Sequence, residues 1–185
     1  MALHRSIIKF AVVLSLTFLA PLSLPTLTSS QAKAENMKIA NLAGSWRGRG
    51  TVKTSLNGKK ENIRCRLTNR DNSKAAKITI LGNCSVGTFL LPVNGWIKRQ
   101  GKGNTYKASL FNSLARMSSN FFTGKIKGKK LGLSYKGIDN KTKERVHASI
   151  TIIHKTASSF DLQIKRADPT SKKQFHVGTI KFKKK

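Results

Sequence analysis

The chain has 185 residues, of which 36 are lysine or arginine and 7 are aspartate or glutamate, so its formal net charge is +29 at pH 7. This length predicts one domain. The charge excludes a cationic partner and favours anionic ones, but charge by itself indicates neither a fold nor an activity.

The first 34 residues have the features of a secretory signal peptide. A short basic start precedes an almost wholly apolar stretch at residues 10–20, and the A-K-A segment at residues 32–34 resembles a cleavage site. The alternative, a membrane anchor, needs about 20 apolar residues in a row, which this stretch does not provide. We therefore expect cleavage after Ala34 and export to the periplasm or medium of a bacterium. Residues 35–185 are expected to form a single domain without a transmembrane segment.

Alternation of apolar and polar residues dominates the rest of the chain, which is typical of β-strands with one buried face. We predict an all-β antiparallel meander of about 8–10 short strands that closes into an up-and-down barrel. A sandwich is the alternative, but a barrel leaves no exposed strand edge. The predicted strands lie at residues 46–54, 59–69, 77–84, 87–98, 106–110, 122–126, 131–135, 145–154, 159–166 and 174–183.

Three further elements are predicted along this meander. Residues 109–119 are the one stretch with helical spacing, and helix and loop are both open there. The apolar parity of the last strand changes near Gly178, which indicates a bulge. Residues 181–185 (K-F-K-K-K) are interpreted as a short basic C-terminal tail.

The first two strands predict a hairpin of defined register. A four-residue turn at residues 55–58 pairs Thr54 with Lys59 and sets Gly48 opposite Cys65 on the apolar side. On the outer side, the same register sets Arg47 opposite Arg66, Arg49 opposite Arg64 and Lys53 opposite Lys60.

Like charges that face each other in a sheet are destabilising, so these pairs suggest an anionic ligand. Arginine binds phosphate and carboxylate in a bidentate manner. The alternative is a solvated face that only reflects the general excess of basic residues. The candidate anion-binding residues are Arg47, Arg49, Arg64, Arg66, Lys53 and Lys60, whereas a second cluster at Lys125, Lys127, Lys129, Lys130 and Lys136 is interpreted as surface that aids solubility.

Both cysteines, Cys65 and Cys84, lie in the predicted exported part. An even pair in an oxidising compartment favours a disulfide, and a loop of about 20 residues predicts a stabilisation of about 3 kcal/mol. A metal pair or a catalytic thiol would need partners, and no histidine lies near either cysteine in the sequence.

Nothing in the sequence favours an enzyme, a cofactor or a metal site. It contains no H-E-x-x-H, no G-x-S-x-G and no glycine-rich phosphate loop. The predicted inward aromatic side chains suit either a filled interior or a small ligand cavity. These are Trp46, Phe89, Trp96, Tyr106, Phe122, Tyr135, Phe160 and Phe175.

The segment N-L-A-G-S-W at residues 41–46 opens the first strand with a G-x-W motif at Gly44 and Trp46. It resembles the opening of calycin-type barrels, a group that includes lipocalins, avidins and small bacterial proteinase inhibitors. The resemblance implies that Trp46 closes one barrel end, under an arginine such as Arg166. The longer pattern, with I-R-C-R at residues 63–66 and a second cysteine, resembles a family of exported bacterial proteins that has no assigned activity.

These observations together predict an exported, non-enzymatic binding protein. The expected partner is an anionic surface or ligand: lipopolysaccharide, anionic lipid or polysaccharide. The alternatives are a proteinase inhibitor or secreted effector that binds a protein, and a carrier of a small apolar ligand. Specific binding of nucleic acid is not expected, because no aromatic stacking platform accompanies the charge.

Overall fold

The computed structural model describes residues 36–53, 55–110, 121–138, 143–168 and 171–185. These residues form ten β-strands and two short 3₁₀ turns, and each strand lies within a few residues of a predicted one. The strands are β1 (Gly44–Val52), β2 (Glu61–Asn72), β3 (Lys77–Val86), β4 (Phe89–Gln100), β5 (Thr105–Ser109), β6 (Phe122–Lys127), β7 (Lys130–Ile138), β8 (Arg145–Thr156), β9 (Ser159–Ala167) and β10 (Gln174–Lys184).

The sheet is a closed antiparallel barrel. Each strand pairs with its neighbours in the chain, and β1 also pairs with β10, so no edge is left unpaired. The prediction of an all-β up-and-down meander is confirmed, and a ten-stranded closed barrel is consistent with a calycin-like fold.

The register of the first hairpin is confirmed within the strands but not beyond them. Gly48 faces Cys65, and the ladder between β1 and β2 ends at Val52 opposite Glu61. The predicted pair of Lys53 with Lys60 is wrong, because the chain after β1 follows β10 instead of β2. The backbone N–H of Lys53 donates to the Val177 carbonyl at 2.7 Å.

The predicted disulfide is confirmed. Cys65 and Cys84 are directly opposite each other in β2 and β3 and are joined by their sulfur atoms. Both cysteines are buried, so the bridge lies on the inner side of the wall.

Side chains fill the barrel interior. Alternate residues of each strand form one buried cluster, as the period-two pattern predicts. Of the predicted inward aromatics, Phe89 and Trp96 are wrong. Phe89 begins β4 at a hairpin tip and is exposed, while Trp96 has the outward parity of β4 and lies beside the Lys77 ammonium at 5.6 Å. The other six are buried.

Trp46 packs at one end of the barrel, beneath a 3₁₀ turn at Ile39–Leu42. Its indole Nε1 donates to the Leu42 carbonyl at 2.8 Å, and its ring meets Phe160 edge-on at 4.7 Å between centroids. The cation beside the ring is Lys184, whose Nζ lies 5.6 Å from the centroid. Arg166 does not take this position, because it lies at the far end of β9, opposite Phe175.

Gly44, the other residue of the G-x-W motif, begins β1 with a φ of 121°. Residues with a side chain rarely adopt this conformation, which explains why glycine stands two residues before the tryptophan.

The C-terminal residues 181–184 belong to β10 and are not a tail. The predicted bulge is confirmed by a register shift between His176 and Gly178. The predicted signal peptide and most of the predicted helical segment lie outside the described residues. Within the described ranges, the structure contains no helix with the length and hydropathy of a membrane span.

Candidate functional site

The outward side chains of β1 lie between like charges on both sides. Arg47 is opposite Arg66 of β2 and Lys183 of β10. Arg49 is opposite Arg64 of β2 and Lys181 of β10. We call this set the basic array; its members are Arg47, Arg49, Arg64, Arg66, Lys181 and Lys183, and all six are exposed.

The pleated sheet fixes the spacing of the basic array. Directly opposite residues have Cβ atoms about 5 Å apart. Residues two apart along a strand are about 7 Å apart. The six side chains therefore start from a patch of about 10 by 7 Å, which is large enough to contact several anionic groups at once.

None of the six side chains forms an ion pair with another described residue. Asp161 is opposite Lys181 in β9, but its carboxylate lies 3.6 Å from the Lys155 ammonium instead. On the β3 side, the neighbours are the uncharged Asn83 and Ser85. The repulsion among the six cations can therefore be reduced only by solvent, by salt or by a bound ligand.

The chemistry of the basic array suits phosphate, sulfate or carboxylate groups. Four of its members are arginines, and a guanidinium can give two parallel N–H donors to one oxyanion. Adjacent cations on a rigid sheet would bind a ligand with several anionic groups, such as a polymer or a charged surface, more tightly than a single ion.

Four of the six predicted anion-binding residues are brought together, and two are not. Lys53 donates its ammonium to the Leu56 carbonyl at 2.7 Å and lies 5.5 Å from the centre of the Phe175 ring. Lys60 is exposed in the loop between β1 and β2. Neither residue therefore takes part in the ladder that forms the basic array.

Lys181 and Lys183 were not predicted as site residues. Their alternation with Phe182 was a local signal for a strand with an outward basic face. Their place beside Arg47 and Arg49 follows from the pairing of the first strand with the last, which no local pattern encodes.

The second lysine cluster lies on the opposite wall. Lys125 and Lys127 belong to β6, which is five strands from β1 in either direction around the barrel. Lys125 faces Thr105 and Gly132 across the sheet, so it lacks the flanking cations that surround Arg47 and Arg49.

The barrel interior offers much less room than a ligand carrier needs. It encloses a cavity of ≈ 40 Å³ with a mostly apolar lining. Pockets for small molecules usually measure roughly 300–1,000 Å³. The polar exception in the lining is Asn69, whose Nδ2 donates to the Leu42 carbonyl at 2.9 Å. A mostly apolar cavity of this size is too small for a carried ligand, so the interior gives the carrier alternative no support.

No protein-family model and no curated protein matches the chain. One solved structure that is similar to it is described as EF1p2_mFAP2b bound to DFHBI, at 9% sequence identity and a TM-score of 0.42. The similarity covers 80% of this chain and 97% of that one. A likeness at this level supports no functional conclusion, so the candidate site rests on its own geometry.

Proposed function

We propose that this protein is an exported, non-enzymatic binding protein that attaches to an anionic ligand or surface through the basic array. The observation that carries the proposal is the meeting of cations from three strands, β2, β1 and β10, none of which forms an ion pair with a described residue. Such a face costs stability in the free protein, and an anion that binds there removes the cost.

Export is proposed from two independent features. Residues 1–34 have the composition of a signal peptide, which remains a prediction from sequence. The Cys65–Cys84 disulfide supports the same location, because such bonds persist in oxidising compartments and are rare in the cytosol.

The test is retention on immobilised heparin and on immobilised lipopolysaccharide along a salt gradient. We expect the wild type to elute at high salt, because its contacts are electrostatic. The variant R47S/R49S/R64S/R66S should elute at much lower salt from at least one of the two supports.

The matched control is K125S/K127S/K130S/K136S. It removes four charges from exposed positions of β6 and β7, and these strands lie on the other side of the barrel. We expect its elution to stay near that of the wild type. If both variants shift equally, the attraction comes from net charge alone and the proposed site is wrong.

A further inference from the structure

The hairpin between β3 and β4 ends in two exposed apolar side chains. Four large apolar side chains are exposed among the described residues, and the two most exposed are consecutive: Phe89 at 71% and Leu90 at 67%. The turn before them has only two residues, Gly87 and Thr88, and Gly87 has a φ of 54°. Because the turn is short, it fixes the backbone position of both residues at the end of the hairpin.

One residue of this apolar tip, Leu90, lies in the same row of the barrel wall as part of the basic array, and Phe89 precedes it at the start of the strand. From β10 to β4, directly opposite residues are Lys181, Arg49, Arg64, Ser85 and Leu90. Each step across the sheet is about 5 Å, so Leu90 lies about 10 Å from Arg64. Three cations and an exposed leucine therefore share one outer row, separated by a single serine.

The disulfide lies between the basic array and the hairpin. Cys65 lies between Arg64 and Arg66 on β2, and its partner Cys84 lies on the strand that leads into the hairpin. The covalent bond therefore links the strand that carries Arg64 and Arg66 to the strand that leads into the apolar tip.

A surface that combines cations with exposed apolar side chains matches a lipid layer. Basic residues are attracted to anionic headgroups, and apolar side chains enter the boundary with the acyl chains. A polysaccharide would use the cations but would leave Phe89 and Leu90 exposed to water. On the premise of the proposed function, we infer that the anionic partner is a phospholipid surface, bound by the basic array and anchored by Phe89 and Leu90.

The experiment compares binding to vesicles and to heparin for the same set of variants. Vesicles of phosphatidylcholine mixed with phosphatidylglycerol supply an anionic lipid surface, and pure phosphatidylcholine vesicles supply a neutral one. We expect F89S/L90S to lose roughly tenfold or more in affinity for the anionic vesicles, because two large apolar groups no longer leave water. Its retention on heparin should equal that of the wild type.

The matched control is F121S/I138S, which makes the same chemical change at the other two exposed apolar positions, Phe121 and Ile138. It should bind the anionic vesicles like the wild type. If F89S/L90S also binds them like the wild type, the lipid inference is wrong, while the proposed function stands as long as the fourfold arginine variant loses heparin retention. If the arginine variant keeps both activities, the proposed function itself is wrong.

A dye-labelled variant tests whether the hairpin tip enters the lipid layer, and it leaves Phe89 in place. The two native cysteines form the disulfide, so L90C carries the one thiol available to a polarity-sensitive dye. We expect a blue shift of its emission on anionic vesicles and none for a dye at T123C, an exposed position of β6. Vesicle binding without a shift at position 90 would overturn the inference.

Discussion

Replacing Arg47 and Arg49 with threonine should stabilise the free protein at low salt. Each arginine lies between two like charges, so the double variant removes four directly opposed pairs. Threonine suits an exposed strand position, and the substitution therefore keeps the local preference for a strand.

The gain follows from the spacing of the sheet. Two unit charges about 5 Å apart in water repel by about 0.8 kcal/mol. A Debye length of about 10 Å at 0.1 M salt lowers this to about 0.5 kcal/mol a pair, or about 2 kcal/mol for four pairs. At 1 M salt the Debye length is about 3 Å, and about 0.6 kcal/mol remains in total. Because long side chains splay apart, we expect a gain of about 1–2 kcal/mol at the lower salt.

The assay is unfolding in urea, which is uncharged and leaves the ionic strength under control. The control K125T/K136T also removes two charges, but Lys125 faces Thr105 and Gly132 and Lys136 faces His147. It should gain clearly less than R47T/R49T. The reasoning is refuted if R47T/R49T is no more stable than this control at low salt, or if its advantage is unchanged at high salt.

Two further predictions concern the bonds that hold the barrel together. C65A/C84A should lower the free energy of unfolding by about 3 kcal/mol. In calorimetry, its melting temperature should equal that of the reduced wild type. A melting temperature near that of the oxidised wild type would contradict this prediction. W46F should cost about 2–3 kcal/mol, because it removes the hydrogen bond to the Leu42 carbonyl and leaves a cavity at a buried position. A melting temperature equal to that of the wild type would show that neither the indole bond nor the packing of Trp46 stabilises the barrel end.

Local pattern was sufficient for most of the fold. Period-two alternation located all ten strands, and the glycine near the parity change located the bulge in β10. In the first hairpin, the turn composition and the apolar faces of Gly48 and Cys65 together determined the register, since a slip of one residue would bury the arginines.

Two of the wrong predictions concern contacts between distant parts of the chain, and a third concerns a hairpin tip. The predicted register continues the β1–β2 ladder to a pair of Lys53 with Lys60. In the structure, the backbone N–H of Lys53 donates instead to Val177 of β10. Lys184 lies beside Trp46, whereas Arg166 does not, because the position depends on the register of the last two strands. Phe89 fits the inward parity of β4, yet it begins its strand at a hairpin tip beyond the packed interior.

Only the arginines of the candidate site could be predicted from the sequence, because the lysines reach it through a contact between distant parts of the chain. One hairpin holds all four arginines, so their register could be derived from its turn. Lys181 and Lys183 lie more than a hundred residues further along the chain and join the arginines only when the barrel closes.

That closure supplies the most direct test of the central claim, which is that three strands form one binding face. The measurement is heparin affinity at a fixed, moderate salt concentration for K181S/K183S, R64S/R66S and K125S/K127S. We expect the first two variants both to weaken binding, since they flank β1 on either side, with the larger loss for the arginine pair, and the third to have little effect. A K181S/K183S variant that binds as tightly as K125S/K127S would contradict the claim.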